Sequence, residues 1–206
     1  DAALVIGFFF LPCFMLVELR SAGARDIAPI TIHKPGAGDP HSYDIDLDPD
    51  GEYLYATFCE TEEPGFGRIP LRGGATGTLE FKPLPPDNTY TCHATMIPGP
   101  GLALVQGAGT VRNEEGVPVR RSGVSFLFDL ENDLEYETIS TDEIKEPMMS
   151  HYLEDSDELV VVDRFGNRVW FMGFDLFLDQ NYSKAKVRRA GSIIAMEGLL
   201  VNPGMN

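Results

Sequence analysis

Basic side chains are scarce in this sequence: 16 Lys and Arg stand against 32 Asp and Glu, a formal charge of −16. That balance repels phosphate backbones and anionic lipid surfaces, so nucleic acid is excluded as an expected partner. The acidity reads as a solvated surface, with attraction of Ca²⁺ or cationic ligands as its functional alternative. Cysteine is scarcer still. Cys13, Cys59 and Cys92 form no CxxC, and only Cys92 adjoins a histidine, so the chain spells neither a disulfide framework nor a zinc knuckle. No G-x-S-x-G, P-loop or G-x-G-x-x-G pattern occurs in a strand-to-helix setting. Helix signals are sparse too: LENDLEYETISTDEIK is the one tract of helical composition, and its LEYETI alternates as a strand does.

Long apolar runs are also missing. The longest, ALVIGFFFLPCFMLV at residues 3–17, has 15 residues, short of the roughly 20 that span a bilayer as a helix. The segment 3–24 has two readings. It is a signal-like stretch ending in Ala22-Gly23-Ala24, or a buried hairpin in which Gly7 and Pro12 separate LVIGFFF from CFMLVEL. No basic stretch precedes it and the chain begins at Asp1 without a methionine, which points to a trimmed or partial chain. A signal would place the protein outside the cytoplasm, secreted or periplasmic; a hairpin leaves it cytoplasmic. No membrane contact is expected beyond this segment. The triplet Asn181-Tyr182-Ser183 matters only in a secreted eukaryotic chain.

What the sequence does contain is turn residues, 21 Gly and 15 Pro, and a repeat. His41, His93 and His151 are spaced by 52 and 58 residues, and each precedes a short strand-like segment, a turn and an apolar strand. The turns are DPDG at 48–51, PGPG at 98–101 and EDSD at 154–157; the apolar strands are YLYATF, LALVQG and LVVVDR. Third strands follow at GRIPL, VSFLFDL and RVWFMGFD, the last entered through Gly166-Asn167, a dipeptide suited to positive φ. Fourth strands fit TLEFKPL, EYETIS and KAKVRR. Four short strands per repeat is the plan of a β-propeller blade. The apolar start aligns with the middle hairpin of an earlier blade, and IAMEGLLVNPGMN with the start of a later one. The expected fold is therefore all-β, a single propeller domain over 1–206 holding about four blades of a larger ring; a β-sandwich is the competing architecture. TVRNEEGVPVRRSG, in the middle blade, reads as a protruding loop.

Equivalent positions in successive blades converge on the mouth of the central channel. His41, His93 and His151, joined by Glu197 in the last repeat, would there form a set suited to a divalent metal such as Zn²⁺, Fe²⁺ or Cu²⁺. Without metal, one imidazole could act as general base and the others orient an anionic or carbonyl oxygen. The structural alternative is that each histidine hydrogen-bonds the backbone of a neighbouring blade. Arg164 is a candidate clamp for a substrate carboxylate or phosphate, or half of a surface ion pair. His33 lies outside the repeat and reads as a loop residue, DPDG as a turn rather than a Ca²⁺ loop, and Trp170 as core.

PHSYDIDLDPDGEYLYATF, with its Pro-His start, DPDG turn and L-Y strand, resembles the blade signature of the lactonase-type, 6-phosphogluconolactonase-like propellers. HYLEDSDELVVVDRFGNRVWFMGFD is similar to the strands that follow in such blades. The resemblance covers about 170 residues as repeats and departs in the middle blade, with its long loop and PGPG turn. It implies a seven-bladed ring hydrolysing a sugar lactone at the channel mouth. AMEGLLVNPG is similar to a blade start of gluconolactonase-like propellers, in which the Glu is a divalent-metal ligand, and this implies that role for Glu197. Histidines at several inner strands also resemble those of arylsulfotransferase-like, carotenoid-oxygenase-like and selenium-binding-protein-like propellers. The leading expectation is hydrolysis of a small-molecule lactone or ester. A non-catalytic binding scaffold whose partner surface includes residues 109–123, and a His-metal oxidase or oxygenase, are the alternatives.

Overall fold

The computed structural model describes residues 2–7, 13–20, 23–31, 41–47, 52–59, 64–70, 78–85 and 88–189. The chain divides into two units, Asp1–Pro86 and Asp87–Asn206. The first unit holds two sheets. β1 (Ala2–Gly7), β2 (Cys13–Arg20) and β3 (Gly23–Thr31) form a three-stranded meander, and β4 (His41–Leu47), β5 (Tyr53–Cys59), β6 (Gly65–Pro70) and β7 (Glu80–Pro83) a four-stranded one. The second unit holds β8 (Asn88–Ile97), β9 (Leu102–Arg112), β10 (Pro118–Asp129) and β11 (Glu135–Thr141), then β12 (Pro147–Leu153), β13 (Glu158–Asp163), β14 (Arg168–Gly173) and β15 (Lys186–Arg189). Every strand pairs antiparallel with its neighbour in sequence. The fold is all-β, a β-propeller of four-stranded blades, about four of them in this chain. Within the apolar start, β1 and β2 pair from Ala2 with Leu19 to Gly7 with Phe14. Among the described residues no helix is long and apolar enough to cross a membrane.

The apolar runs fall where both sheet faces are covered. Leu54–Phe58, Ala103–Gly107 and Leu159–Asp163 are buried without interruption, because each second strand is covered on both faces. Outer strands pay for no such burial and read differently: β15 is exposed at all four residues, and β11 buries only Ile139. In the second unit the core joins Ile97, Leu104, Leu159, Val161, Trp170 and Met172. Each such side chain contributes about 1.5–3 kcal/mol on burial.

Two local expectations are revised. Residues 109–123 are not an irregular loop: β9 runs to Arg112 and β10 starts at Pro118, so the pairing extends the hairpin to a turn at 113–117. Asn113 caps that turn, its Oδ1 accepting the N–H groups of Glu115 and Val117 at 3.1 and 2.9 Å. RVWFMGFD does not stay extended, since β14 ends at Gly173 and a single helical turn, α1 (Phe174–Leu178), follows. Phe174 and Phe177, three apart, thereby share one helical face and enter the core.

The β13–β14 turn shows why glycine stands at 166. The positive φ falls on Asn167, at 51°, while Gly166 lies against the carboxylate of Asp163. A methyl group at 166 would fall inside the contact radius of Asp163 Oδ2. Asp163 is fully buried, and its Oδ1 accepts the N–H groups of Gly166 (2.8 Å) and Glu146 (3.0 Å).

Candidate functional site

The two sheets of the second unit approach most closely along their first strands, β8 and β12. Polar side chains converge at that seam on Ser150. The Ser150 carbonyl accepts from His93 Nε2 at 3.0 Å and from Thr95 Oγ1 at 2.9 Å. Thr95 Oγ1 also lies 2.6 Å from Ser150 Oγ, Gln106 Nε2 donates to Ser150 Oγ at 3.2 Å, and Ser125 Oγ donates to Gln106 Oε1 at 2.7 Å. One proton order satisfies all of these. Ser125 donates to Gln106, Gln106 to the Ser150 hydroxyl, that hydroxyl to Thr95, and Thr95 to the Ser150 carbonyl. The chain crosses β10, β9 and β8 and ends on β12 of the next blade, with Thr95, Gln106, Ser125 and Ser150 all buried.

Because a carbonyl can only accept, His93 carries its proton on Nε2. In the neutral ring the lone pair then lies on Nδ1. His151, on β12 beside Ser150, is exposed. His41 opens β4 opposite Cys59, but its side chain, like Glu197, His33 and the DPDG turn, lies outside the described residues. Of the three repeat histidines, His93 and His151 fall in the second unit and His41 in the first.

The three histidines do not occupy one pairing position. Counted back from the hairpin turn, His151 is in the third pair (with Val160), His93 in the fifth (with Gln106) and His41 in the sixth (with Cys59). The first strands β4 and β12 each skip one residue of the ladder, Tyr43 and Met148, and β8 skips two, Thr89 and Cys92; His41 lies two residues before its bulge, His93 one after Cys92 and His151 three after Met148. Such bulges absorb a residue without breaking the sheet, so spacing in sequence does not transfer directly to register. Among the described residues no group of three or more His, Cys, Asp or Glu is placed to hold a metal ion.

Arg164 lies at the end of β13, where its Nε and Nη2 donate to Glu146 Oε2 and Oε1, both at 3.0 Å. The Glu146 side chain is 2% exposed and that of Arg164 46%, so this bidentate pair is half sheltered. The Arg164 N–H also donates to the Glu146 carbonyl at 3.0 Å, and together with Asp163 this ties the approach to β12 to the β13–β14 hairpin. Trp170 is core, its ring edge-on to Tyr182 at 6.1 Å. Burial pushes the Tyr182 phenol above its ordinary value, with Thr141 partly opposing.

Thr95, Gln106, Ser125 and Ser150 were not anticipated from the sequence. The signal was present in Gln106: an amide inside the apolar run LALVQG, on a strand buried on both faces, requires a polar partner across the fold.

No family model matches the chain, and no curated protein matches it. Some solved structures are similar to it. Hydrazine synthase of Kuenenia stuttgartiensis is similar over 89% of this chain and 52% of that one, with 11% identity and a TM-score of 0.65. A functionally unknown protein from Desulfotomaculum acetoxidans covers 90% of the chain at 12% identity and a TM-score of 0.46. The periplasmic gluconolactonase of Pseudomonas aeruginosa covers 87% at 15% and 0.40. The chain spans about half the length of the hydrazine synthase chain and 65% and 64% of the other two. At such identities the likeness speaks to fold alone.

Proposed function

We propose that this propeller serves as a binding scaffold, with its inner seam built for rigidity rather than chemistry. The observation behind this is the use to which the polar groups of β8 and β9 are put: His93, Thr95 and Gln106 all spend hydrogen bonds on Ser150 of the next blade. The partner surface includes the hairpin tip at 113–117, every residue of which is exposed, Val117 by 51%. A scaffold of this kind shows no turnover on a panel of lactones and esters, with or without added Zn²⁺, Mn²⁺ or Ca²⁺. Turnover above background that is lost in His151→Ala overturns this reading.

The second reading is hydrolysis of a small-molecule lactone or ester. The exposed imidazole of His151 favours it, standing on the first strand of its blade, together with the sequence resemblance at 40–58 and 151–175. In that reading His151 is the base and Arg164 binds substrate, leaving Glu146 to do so. A divalent metal would draw on His41, His93, His151 and Glu197. Metal analysis of the purified protein tests this, and redox-active iron or copper would favour an oxidase or oxygenase instead.

A further inference from the structure

The outer edge of the last blade opposes the charge of the chain. Four of the 16 basic residues fall within six positions, Lys184, Lys186, Arg188 and Arg189, and Arg168 stands opposite Arg189 on the adjacent strand. All four residues of β15 are exposed, and among the described residues it is the last strand of its sheet. The only carboxylate near its cations among the described residues is Glu158, 4.0 Å from Lys186. Arg188 lies over the Phe171 ring at 5.4 Å and Arg168 over Trp170 at 5.9 Å, so aromatic faces hold two guanidinium groups at the rim. Val187, paired with Trp170, is 42% exposed and adds an apolar side chain to this edge.

We infer that β15 receives a short, extended, acidic segment of a partner protein by strand addition. An unpaired edge offers backbone donors and acceptors that only another extended polypeptide completes. Alternate side chains of such a strand meet the basic groups, and the others meet Val187. The patch is about 13 Å long at ~3.3 Å per residue, little more than the ~8 Å screening length at physiological salt. A short acidic strand stays within that patch, whereas a nucleic acid or an anionic bilayer extends over a surface of net charge −16. This inference concerns the outer rim and holds under either reading of the inner strands.

The test is anisotropy of a labelled eight-residue peptide alternating Glu with Val or Thr, titrated with the full chain. Saturable binding is expected, weakened at least tenfold by the double substitution Lys186→Glu and Arg188→Glu in a protein that keeps the circular dichroism and Trp170 emission of the parent. N-methylation of alternate peptide amides, which leaves charge intact and blocks strand pairing, should weaken binding to the same degree. Absence of binding, indifference to N-methylation, or equal binding by a DNA oligonucleotide or anionic vesicles overturns the inference. Basic residues would then merely guard the edge against pairing.

Discussion

Ser150→Ala tests whether the blades are joined by the polar chain at their seam. The substitution deletes Ser150 Oγ and with it two contacts, from Gln106 Nε2 at 3.2 Å and with Thr95 Oγ1 at 2.6 Å. Thr95 keeps its donation to the Ser150 carbonyl, and so does His93. Gln106 is the loser: it is fully buried, and its amide donor is left without this partner. An orphaned buried donor costs about 1–3 kcal/mol, so a loss of about 2 kcal/mol is expected. Urea unfolding followed by Trp170 reports it cleanly, because the chain has one tryptophan and that residue lies in the same core. A control separates polarity from packing. Replacing the connected side chains together, as Ser125→Ala, Gln106→Met and Ser150→Ala, removes donors and acceptors alike and should recover part of the loss. A change below about 0.5 kcal/mol in Ser150→Ala, or a triple variant that simply adds further losses, would refute the reasoning.

Other perturbations reach the remaining contacts. Gly166→Ala should destabilise by about 2 kcal/mol or more in the same unfolding assay, since the new methyl displaces the buried Asp163 carboxylate from the Gly166 and Glu146 N–H groups. Arg164→Met leaves Glu146 buried without its bidentate partner; a loss of about 2 kcal/mol is expected, reduced by half or more when Glu146→Gln is added, as a double-mutant cycle would show. Tyr182, raised above its ordinary value of 10.0 by burial, contributes stability that is fully present below pH 10 and is lost as pH rises through the higher folded value. Unfolding measured across that window should fall more steeply with pH in the parent than in Tyr182→Phe.

Much of the fold was legible because blades are built from short-range signals. LVVVDR reads as an apolar strand, Gly166-Asn167 as a turn and KAKVRR as a fourth strand, and these became β13, the turn after it and β15. The hairpin at 109–123 was misread because Arg, Glu and Gly next to one another look like loop composition, while ladder hydrogen bonds do not depend on side-chain polarity. The α1 turn escaped notice for the opposite reason: a five-residue helix is too short to show a period, and the packing of Phe174 and Phe177 decides it.

The sequence by itself determined the all-β class, the four-strand repeat, the net negative charge and the core position of Trp170. These follow from composition, alternation and turn residues, each of which acts within a few positions along the chain. Tertiary structure alone decided what the polar residues do. Whether His93 is a base or a staple depends on a carbonyl 57 residues away, and Arg164 is bound to a carboxylate 18 residues before it. No local pattern encodes such partners, because hydrogen bonds between blades are set by the bulges and turns that bring one strand alongside another.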